Sequence, residues 1–238
     1  MMNKSFAKVF LGMALMAPLS GYTETLKDAQ AAIQAGDYPR ALGIYTLLAN
    51  EGNAKAEYNL GQMYINGDGV PQDVSEAVGW YRRSAEHGYS EAQYTLAALH
   101  FRRVSALPSY EDAIAWYRRA AEQGHARSQL NLGDLYFKGE VVPQDIDAAL
   151  GWYKQSAEQG NGEAQHQLGV IYANGQGVEK DTVKGYMWLL LAAENAEPRQ
   201  RVRTGKLLNF TGASMSPEQV EEARQLARRC MDNKYKGC

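Results

Sequence analysis

The stretch INGDGVPQD, from Ile65 to Asp73, combines residue types that carry chemistry in many proteins. Its two aspartates and its asparagine could supply oxygen ligands to a calcium ion. Its two glycines could let backbone amides approach a phosphate group. The same residue types are also typical of a tight turn between two helices. The stretch therefore admits three interpretations, and two of them would indicate a ligand site.

Two later stretches, FKGEVVPQD and ANGQGVEKD, align with this one and decide between the interpretations. They replace Asp68 by Glu140 and then by Gln176. A calcium loop would keep the number and charge of its ligands, so this change argues against a calcium site. Phosphate loops follow a strand, whereas these glycines follow a helical pattern and Gly69 is not retained. We predict a turn in which glycine ends one helix and Asp73 caps the next.

The histidines form no recognisable catalytic or metal-binding pattern. None belongs to an H-x3-H or H-E-x-x-H pair. His166 is the one that we expect on an inner helix surface, where a lone histidine is more often a polar contact than a ligand. No serine nucleophile motif and no pair of carboxylates stands out. We therefore predict no catalytic residue, no metal site and no cofactor.

Glycine and aromatic residues recur at intervals of 36 residues. The series are Gly52, Gly88, Gly124 and Gly160, then Tyr45, Tyr81, Tyr117 and Tyr153, then Trp80, Trp116, Trp152 and Trp188. Helix-capping residue types keep the same step at Asp37, Asp73, Ser109, Asp145 and Asp181. Within each interval two helical patterns alternate with two breaks. Because units of this size bury their apolar faces by stacking, we predict an all-α solenoid of antiparallel helix pairs.

The repeated pattern resembles the Sel-1-like repeat, a relative of the tetratricopeptide repeat. Its first copy reads AEYNLGQMYINGDGVPQD followed by AVGWYRRSAEHG, and its third reads SQLNLGDLYFKGEVVPQD followed by ALGWYKQSAEQG. The match covers Ala54 to Ala196. We divide residues 53–196 into four repeats, at 53–88, 89–124, 125–160 and 161–196. The resemblance implies a right-handed α/α superhelix like that of tetratricopeptide proteins, and a role in binding other proteins.

The resemblance also implies that the first helix of each repeat lines the concave face of the superhelix. Polar side chains recur on these helices at 36-residue steps, each one residue before a leucine, at Asn59, Thr95, Asn131 and Gln167. We expect this row, with Gln62, Asp134 and His166, to bind the backbone of an extended peptide. The alternative is ordinary solvated helix surface or hydrogen bonding within the repeats.

The second repeat departs from the pattern, because FRRVSALPSY replaces the glycine turn. Its length is unchanged, so stacking can continue. Sequence drift in a tolerant loop would explain the difference. The alternative is a solvent-facing contact site, since loops often carry function. Its candidate residues are Arg102, Arg103, Leu107 and Tyr110.

The start of the chain has the pattern of a secretory signal peptide, which we assign to residues 1–21. Lys4 and Lys8 precede an apolar run from Val9 to Leu19, which is too short to span a bilayer as a helix. We read residues 22–52 as an N-terminal helix pair and residues 197–238 as capping helices. We expect a periplasmic or secreted protein.

Cys230 and Cys238 are the only cysteines, and an oxidising compartment would let them pair. In an unbroken helix their Cα atoms would lie about 12 Å apart, beyond disulfide reach, so the helix must turn back after Cys230. Cysteine-rich secreted members of the resembled family carry such pairs within each repeat. Their proposed β-lactam chemistry carries over poorly to a chain with one pair.

These observations favour a non-enzymatic scaffold or adaptor of the bacterial cell envelope that binds a partner protein or an extended peptide. Two alternatives stay open. One is binding or hydrolysis of cell-wall fragments or β-lactams, which needs a titrating group in a pocket. The other is regulation of a membrane sensor through the basic tail, which carries 9 Lys/Arg against 4 Asp/Glu from Arg199 onward. We expect a monomer with no membrane span after cleavage. We also expect no nucleic-acid partner, since the arginines are scattered among few aromatic residues.

Overall fold

The computed structural model describes residues 24–102 and 109–238. In these ranges the regular secondary structure is helical, with twelve helices. They are α1 (Leu26–Gln34), α2 (Tyr38–Asn50), α3 (Ala54–Asn66), α4 (Val74–Glu86), α5 (Ser90–Phe101), α6 (Tyr110–Glu122), α7 (Ala126–Lys138), α8 (Ile146–Ala157), α9 (Gly162–Asn174), α10 (Thr182–Asn195), α11 (Pro198–Ala213) and α12 (Pro217–Asp232). The predicted all-α fold is confirmed.

The helices from α1 to α10 pack as consecutive pairs, and the pairs stack in chain order. Each helix packs chiefly on the helices before and after it in the chain, as a solenoid requires. The packing between the two helices of one pair is therefore repeated in the next pair. The last two helices depart from this order, because α11 and α12 both pack on α10.

The glycine-containing stretches are turns, as predicted. Gly67 ends α3 in the left-handed region, with φ 78°. Gly139 and Gly175 end α7 and α9 in the same way. The Asp73 carboxylate then accepts a hydrogen bond from the Ser75 backbone N–H at 2.8 Å. The capping side chains at the other predicted positions also accept from first-turn amides, at Asp37, Ser109, Asp145 and Asp181.

A tyrosine of the second helix fills the space between the two helices of a repeat. Tyr81 and Tyr153 are almost fully buried. Each ring lies against a glycine of the first helix, and a Cβ atom added at Gly61 or Gly133 would lie 2.5 Å from a ring carbon. Glycine at these positions is therefore required by the close approach of the ring rather than by backbone conformation.

Two glycine-to-alanine substitutions should change stability in opposite directions. Gly61→Ala should lower the free energy of unfolding by about 1–3 kcal/mol, because the new methyl group overlaps the Tyr81 ring. Gly79→Ala, in the exposed interior of α4 with no atom near the new Cβ, should raise it by about 0.5–1 kcal/mol. Urea unfolding measures both. Equal effects of the two substitutions would contradict the proposed ring contact.

A buried amide joins each repeat to the one before it. Gln129 is 3% exposed, and its Nε2 donates to the backbone carbonyl of Ala121 at 3.0 Å. That carbonyl lies in the last turn of α6, where it also accepts a hydrogen bond from the Gly124 backbone N–H at 2.9 Å. The Gln129 Oε1 accepts from Gln159 Nε2 at 2.7 Å. One side chain of α7 therefore connects the end of α6 to the turn that follows α8.

The same joint recurs on both sides of this one. Gln93 donates to Ala85 and accepts from Gln123, and Gln165 donates to Ala157 and accepts from Asn195. We call these two sites and the one at Gln129 the amide joints. Each uses both the donor and the acceptor of a carboxamide, which a carboxylate or an apolar side chain cannot do.

The first repeat builds the joint from charged groups. Glu57 takes the glutamine position and is fully buried. Its carboxylate lies 3.0 Å from Arg83 Nη2 and 2.7 Å from His87 Nδ1. Because a carboxylate cannot donate, the Arg83 guanidinium donates to the Ala49 carbonyl instead, at 3.3 Å. Three side chains, Glu57, Arg83 and His87, thus form this joint, whereas two carboxamide side chains form each of the others.

Removal of a joint should be costly. Gln129→Leu removes one of the two donors to the Ala121 carbonyl and the acceptor of the Gln159 amide, so we expect a loss of about 1–3 kcal/mol of unfolding free energy. Gln30→Leu, on the exposed face of α1, is the control and should change stability by less than about 0.5 kcal/mol. Similar values for both variants would show that the buried amide is dispensable.

The C-terminal segment closes on itself through the predicted disulfide, which joins Cys230 to Cys238 with Cα atoms 5.5 Å apart. Helix α12 continues two residues beyond Cys230, to Asp232. The chain then reverses through Lys234 and Tyr235, which both have positive φ. The reversal was expected, but these two residues were not identified from the sequence.

Candidate protein-binding surface

The predicted polar row lies on the first helices of the four repeats. We define the first-helix surface by six half-buried residues of this row and its neighbours, namely Asn59, Gln62, Thr95, Asn131, Asp134 and Gln167. In each helix the row residue precedes a leucine that is at most 2% exposed. Because the leucines hold the same register in each repeat, the preceding side chains point in corresponding directions.

Tyrosine hydroxyl groups from the second helices support part of this surface. The Tyr153 hydroxyl donates to Asp134 Oδ1 at 2.7 Å. Gln167 Nε2, from the next repeat, donates to the same oxygen at 3.3 Å. Burial raises the pKa of the Tyr153 phenol, and the Asp134 carboxylate raises it further. The phenol therefore stays protonated and holds the carboxylate in place.

The other members of the surface differ in how they are held. Burial raises the pKa of the Tyr117 phenol, and Asn131 lies close enough to that hydroxyl to oppose the rise. Gln62 Nε2 donates to the Tyr58 hydroxyl at 2.8 Å. Within residues 24–102 and 109–238, the side chains of Asn59 and Thr95 make no hydrogen bond. The surface thus contains both fixed and available polar groups.

Charged groups gather at the end of the surface formed by α7, α9 and α11. Arg203 Nη1 lies 3.9 Å from Glu163 Oε1. Burial raises the pKa of Glu163, the Arg203 guanidinium opposes this rise, and Asp134 adds to it. Two carboxylates and one guanidinium therefore interact in this region.

His166 does not belong to the open surface on which we expected it. Its side chain is 1% exposed, and its Nδ1 lies 3.0 Å from the Thr204 hydroxyl of α11. Helix α11 packs over this part of α9 and covers the ring. Burial, together with the nearby Arg203 charge, lowers the pKa of His166 to about 4. The sequence pattern placed His166 correctly on its helix but did not show that a later helix covers it.

The burial of His166 makes stability depend on pH. The folded ring has a pKa of about 4 against an ordinary value of 6.5, so between these values the unfolded chain binds a proton that the folded chain does not. Stability should therefore fall as the pH is lowered from 6.5 towards 4, by about 1.4 kcal/mol per pH unit from this residue.

Comparison with His166→Gln isolates this contribution. Urea unfolding of both proteins at pH 7, 6 and 5 gives the difference in stability at each pH. The wild-type advantage should shrink as the pH falls, because the glutamine does not titrate. A difference that stays constant across this range would mean that the buried ring is not held neutral.

The structure describes half of the contact site predicted in the second repeat. Arg103 and Leu107 lie outside the described residues. Arg102 is exposed, at the end of α5. Tyr110 is the first residue of α6, is 41% exposed, and its ring centroid lies 5.1 Å from that of His100. A role for these residues in partner contact stays a prediction.

Among residues 24–102 and 109–238, no group of three or more His, Cys, Asp and Glu side chains is placed to hold a metal ion. In the same ranges, no helix has both the length and the apolar character needed to cross a membrane.

The amide joints were not recognised from the sequence, although a signal for them exists. Gln93, Gln129 and Gln165 follow the 36-residue step, and the residues that bond to them keep the same step. A glutamine that recurs at one helix position, with a second carboxamide side chain always 30 residues later, would have indicated a buried amide pair. The substitution of Glu57 in the first repeat hides this pattern.

The chain belongs to the Sel1 repeat family. The family's sequence profile matches four segments, at residues 54–89, 90–125, 126–161 and 162–196. The recognised pattern and the helical solenoid are both confirmed by this match. No curated protein matches the chain.

Solved structures of repeat proteins resemble this one. A protective antigen present in uropathogenic Escherichia coli strains, with an SLR fold, is 32% identical with a TM-score of 0.71, and the match covers 82% of this chain and 42% of that one. The chain thus spans less than half the length of that antigen. A Sel1 repeat protein from Oxalobacter formigenes is 28% identical with a TM-score of 0.72, covering 86% of this chain and 84% of that one.

The immunity protein PA5088 from Pseudomonas aeruginosa shares the fold at 18% identity, with a TM-score of 0.51 and coverage of 87% of this chain and 82% of that one. Sel1 repeats generally mediate contacts between proteins and are typically not catalytic. The class defined by fold and family is therefore a repeat scaffold for protein binding.

Proposed function

We propose that the chain is a non-enzymatic adaptor of the bacterial cell envelope that binds an extended segment of a partner protein on the first-helix surface. We place this surface on the inner side of the superhelix. The observation that carries the proposal is the row Asn59, Thr95, Asn131 and Gln167, half-buried at one position of successive first helices.

The chemistry of the row suits the backbone of a peptide. Carboxamides donate and accept hydrogen bonds, so three of the four side chains can pair with both peptide N–H and C=O groups. Packed helices lie about 8–10 Å apart, and an extended chain rises about 3.3 Å per residue. Successive row positions would therefore meet backbone groups about three residues apart.

The supporting contacts favour binding without large rearrangement. Tyr153 and Gln167 both donate to Asp134, so this side chain has little rotamer freedom to lose. Groups that are fixed before binding reduce the entropy cost of association. The leucines beneath the row keep the underlying helices in register.

The envelope assignment rests on two features of the ends of the chain. Residues 1–21 carry the signal-peptide pattern, and they lie outside the described residues. The bond between Cys230 and Cys238 suits an oxidising compartment. Both features favour export to the periplasm or beyond.

The two alternative functions have less support from the arrangement of side chains. An open depression of about 680 Å³ lies beside the turn of the fourth repeat, between Tyr172 and Gln219. Its Asp181 carboxylate caps α10 by accepting from the Lys184 backbone N–H at 2.8 Å, so it already has a structural role. Regulation of a membrane sensor through the basic tail would itself need a protein contact, which makes it a special case of the adaptor.

A photo-crosslinking amino acid at Asn131, introduced in cells that export the chain, tests the proposed surface. We expect a discrete crosslinked protein from this site. The control is the same probe at Arg118, which is exposed on the second helix α6. The Asn131 product should be lost when Thr95→Arg introduces a bulky charge at the neighbouring row position, while folding is checked by circular dichroism.

The outcomes are distinct. Equal products from Asn131 and Arg118 would indicate non-specific contact and contradict a dedicated surface. A product from Asn131 that persists in the Thr95→Arg protein would mean that the partner does not run along the row.

A further inference from the structure

Helix α11 is the least anchored helix of the C-terminal region. Of its 16 residues, only Thr204 and Thr211 are buried, and both are polar. Val202 is 63% exposed and Phe210 is 77% exposed. Helix α12, by contrast, buries Ala223, Ala227 and Cys230 in the core. Two of the apolar side chains of α11, Val202 and Phe210, are therefore left largely exposed.

Helix α11 runs beside α9 and in the same direction. Arg203 approaches Glu163 near the start of α9, and Thr204 contacts His166 one turn further on. Leu207 and Phe210 then line a shallow groove of about 360 Å³ with Val170 and His166. Helix α11 thus occupies the place that the first helix of a fifth repeat would take, and the groove continues the first-helix surface.

The groove has an apolar floor and a basic rim. Val170, Leu207 and Phe210 supply the floor, and Arg203 and Lys206 supply the rim. Helix α11 carries four cationic residues, Arg199, Arg201, Arg203 and Lys206, and no acidic one. Arg201 is engaged, because its Nε donates to the Ala193 carbonyl at 3.2 Å. Arg203 is shared with Glu163, whose Oε1 lies 3.9 Å from its Nη1, whereas Lys206 makes no ion pair with the described residues.

We propose that this groove binds one end of the partner segment through an apolar side chain flanked by acidic residues. The apolar side chain would cover Phe210 and Leu207, and the carboxylates would meet Arg203 and Lys206. Charge complementarity carries this choice, since a helix with cations alone selects an acidic partner. The inference rests on the proposed function, because it assigns an acidic and apolar composition to one end of the segment that the first-helix surface binds.

Selection from a displayed library of random 12-residue peptides tests the composition. Peptides enriched on the wild-type protein should carry Asp or Glu within about three residues of an aromatic or large aliphatic residue, because side chains on one face of an extended chain recur every second residue. An enriched peptide is then synthesised with a fluorescent label and measured by anisotropy. Its affinity should fall as salt is raised, because the contacting charges are exposed.

Charge reversal tests the position. Lys206→Glu should weaken binding of the selected peptide at least five-fold, and a peptide whose acidic residues are replaced by lysine should recover binding to this variant. Phe210→Ala should also weaken binding, with little effect on folding because the ring is 77% exposed. Lys27→Glu, an exposed lysine on α1, makes the same charge change at the other end of the chain and should leave binding unchanged.

The outcomes separate this inference from the proposed function. Enriched peptides that lack acidic residues, or that bind Lys206→Glu and wild type equally, would overturn the groove assignment. If their binding is nevertheless lost in the Thr95→Arg protein, the first-helix surface stands as a binding site. Failure to enrich any peptide would count against both proposals. Binding to phosphatidylglycerol vesicles that depends on Lys206, with no enriched acidic peptide, would assign α11 to a lipid surface instead.

Discussion

The stacking of this protein depends on what happens to the last carbonyl groups of each second helix. Helix geometry leaves these groups without the usual donor one turn further on. The N–H of the following glycine supplies one hydrogen bond, as Gly124 does to Ala121, and a glutamine on the next first helix supplies a second, as Gln129 does. The same amide accepts from the residue that follows the second helix of its own repeat, Gln159. Adjacent repeats are thus held at one relative position by a hydrogen-bond requirement as well as by apolar contact, which alone would tolerate sliding.

That fixed position explains why the first-helix surface is ordered. Side chains of different repeats can act together only if their separation is constant. The bond from Gln167 to Asp134 spans two repeats and depends on this spacing. The tyrosine hydroxyls then orient individual members of the surface from below. The joints and the surface lie on different sides of the same helices, so one side can be constrained while the other varies in sequence.

The sequence predicted the features that follow the period and missed those that do not. Helix order, glycine turns and caps such as Asp73 were predictable, because each arises from local backbone chemistry repeated at 36 residues. The burial of His166 was not predictable, because it depends on where α11 packs, and the sequence of α11 lies outside the matched repeats. The role of Arg83 was hidden for a related reason. Arg83 on α4 donates to the Ala49 carbonyl because Glu57, on the neighbouring helix α3, stands where later repeats have a glutamine.

The charged joint of the first repeat bears on how such arrays grow by duplication. Glu57, Arg83 and His87 all lie within the segment 54–89 that matches one family unit. A copying event that moves this unit therefore moves the buried acid together with the groups that neutralise it. The only group taken from the preceding unit is a backbone carbonyl, which every residue possesses. The array can accordingly gain, lose or reorder whole units without leaving a buried charge unpaired, whereas a crossover inside the unit would separate the acid from its counterions.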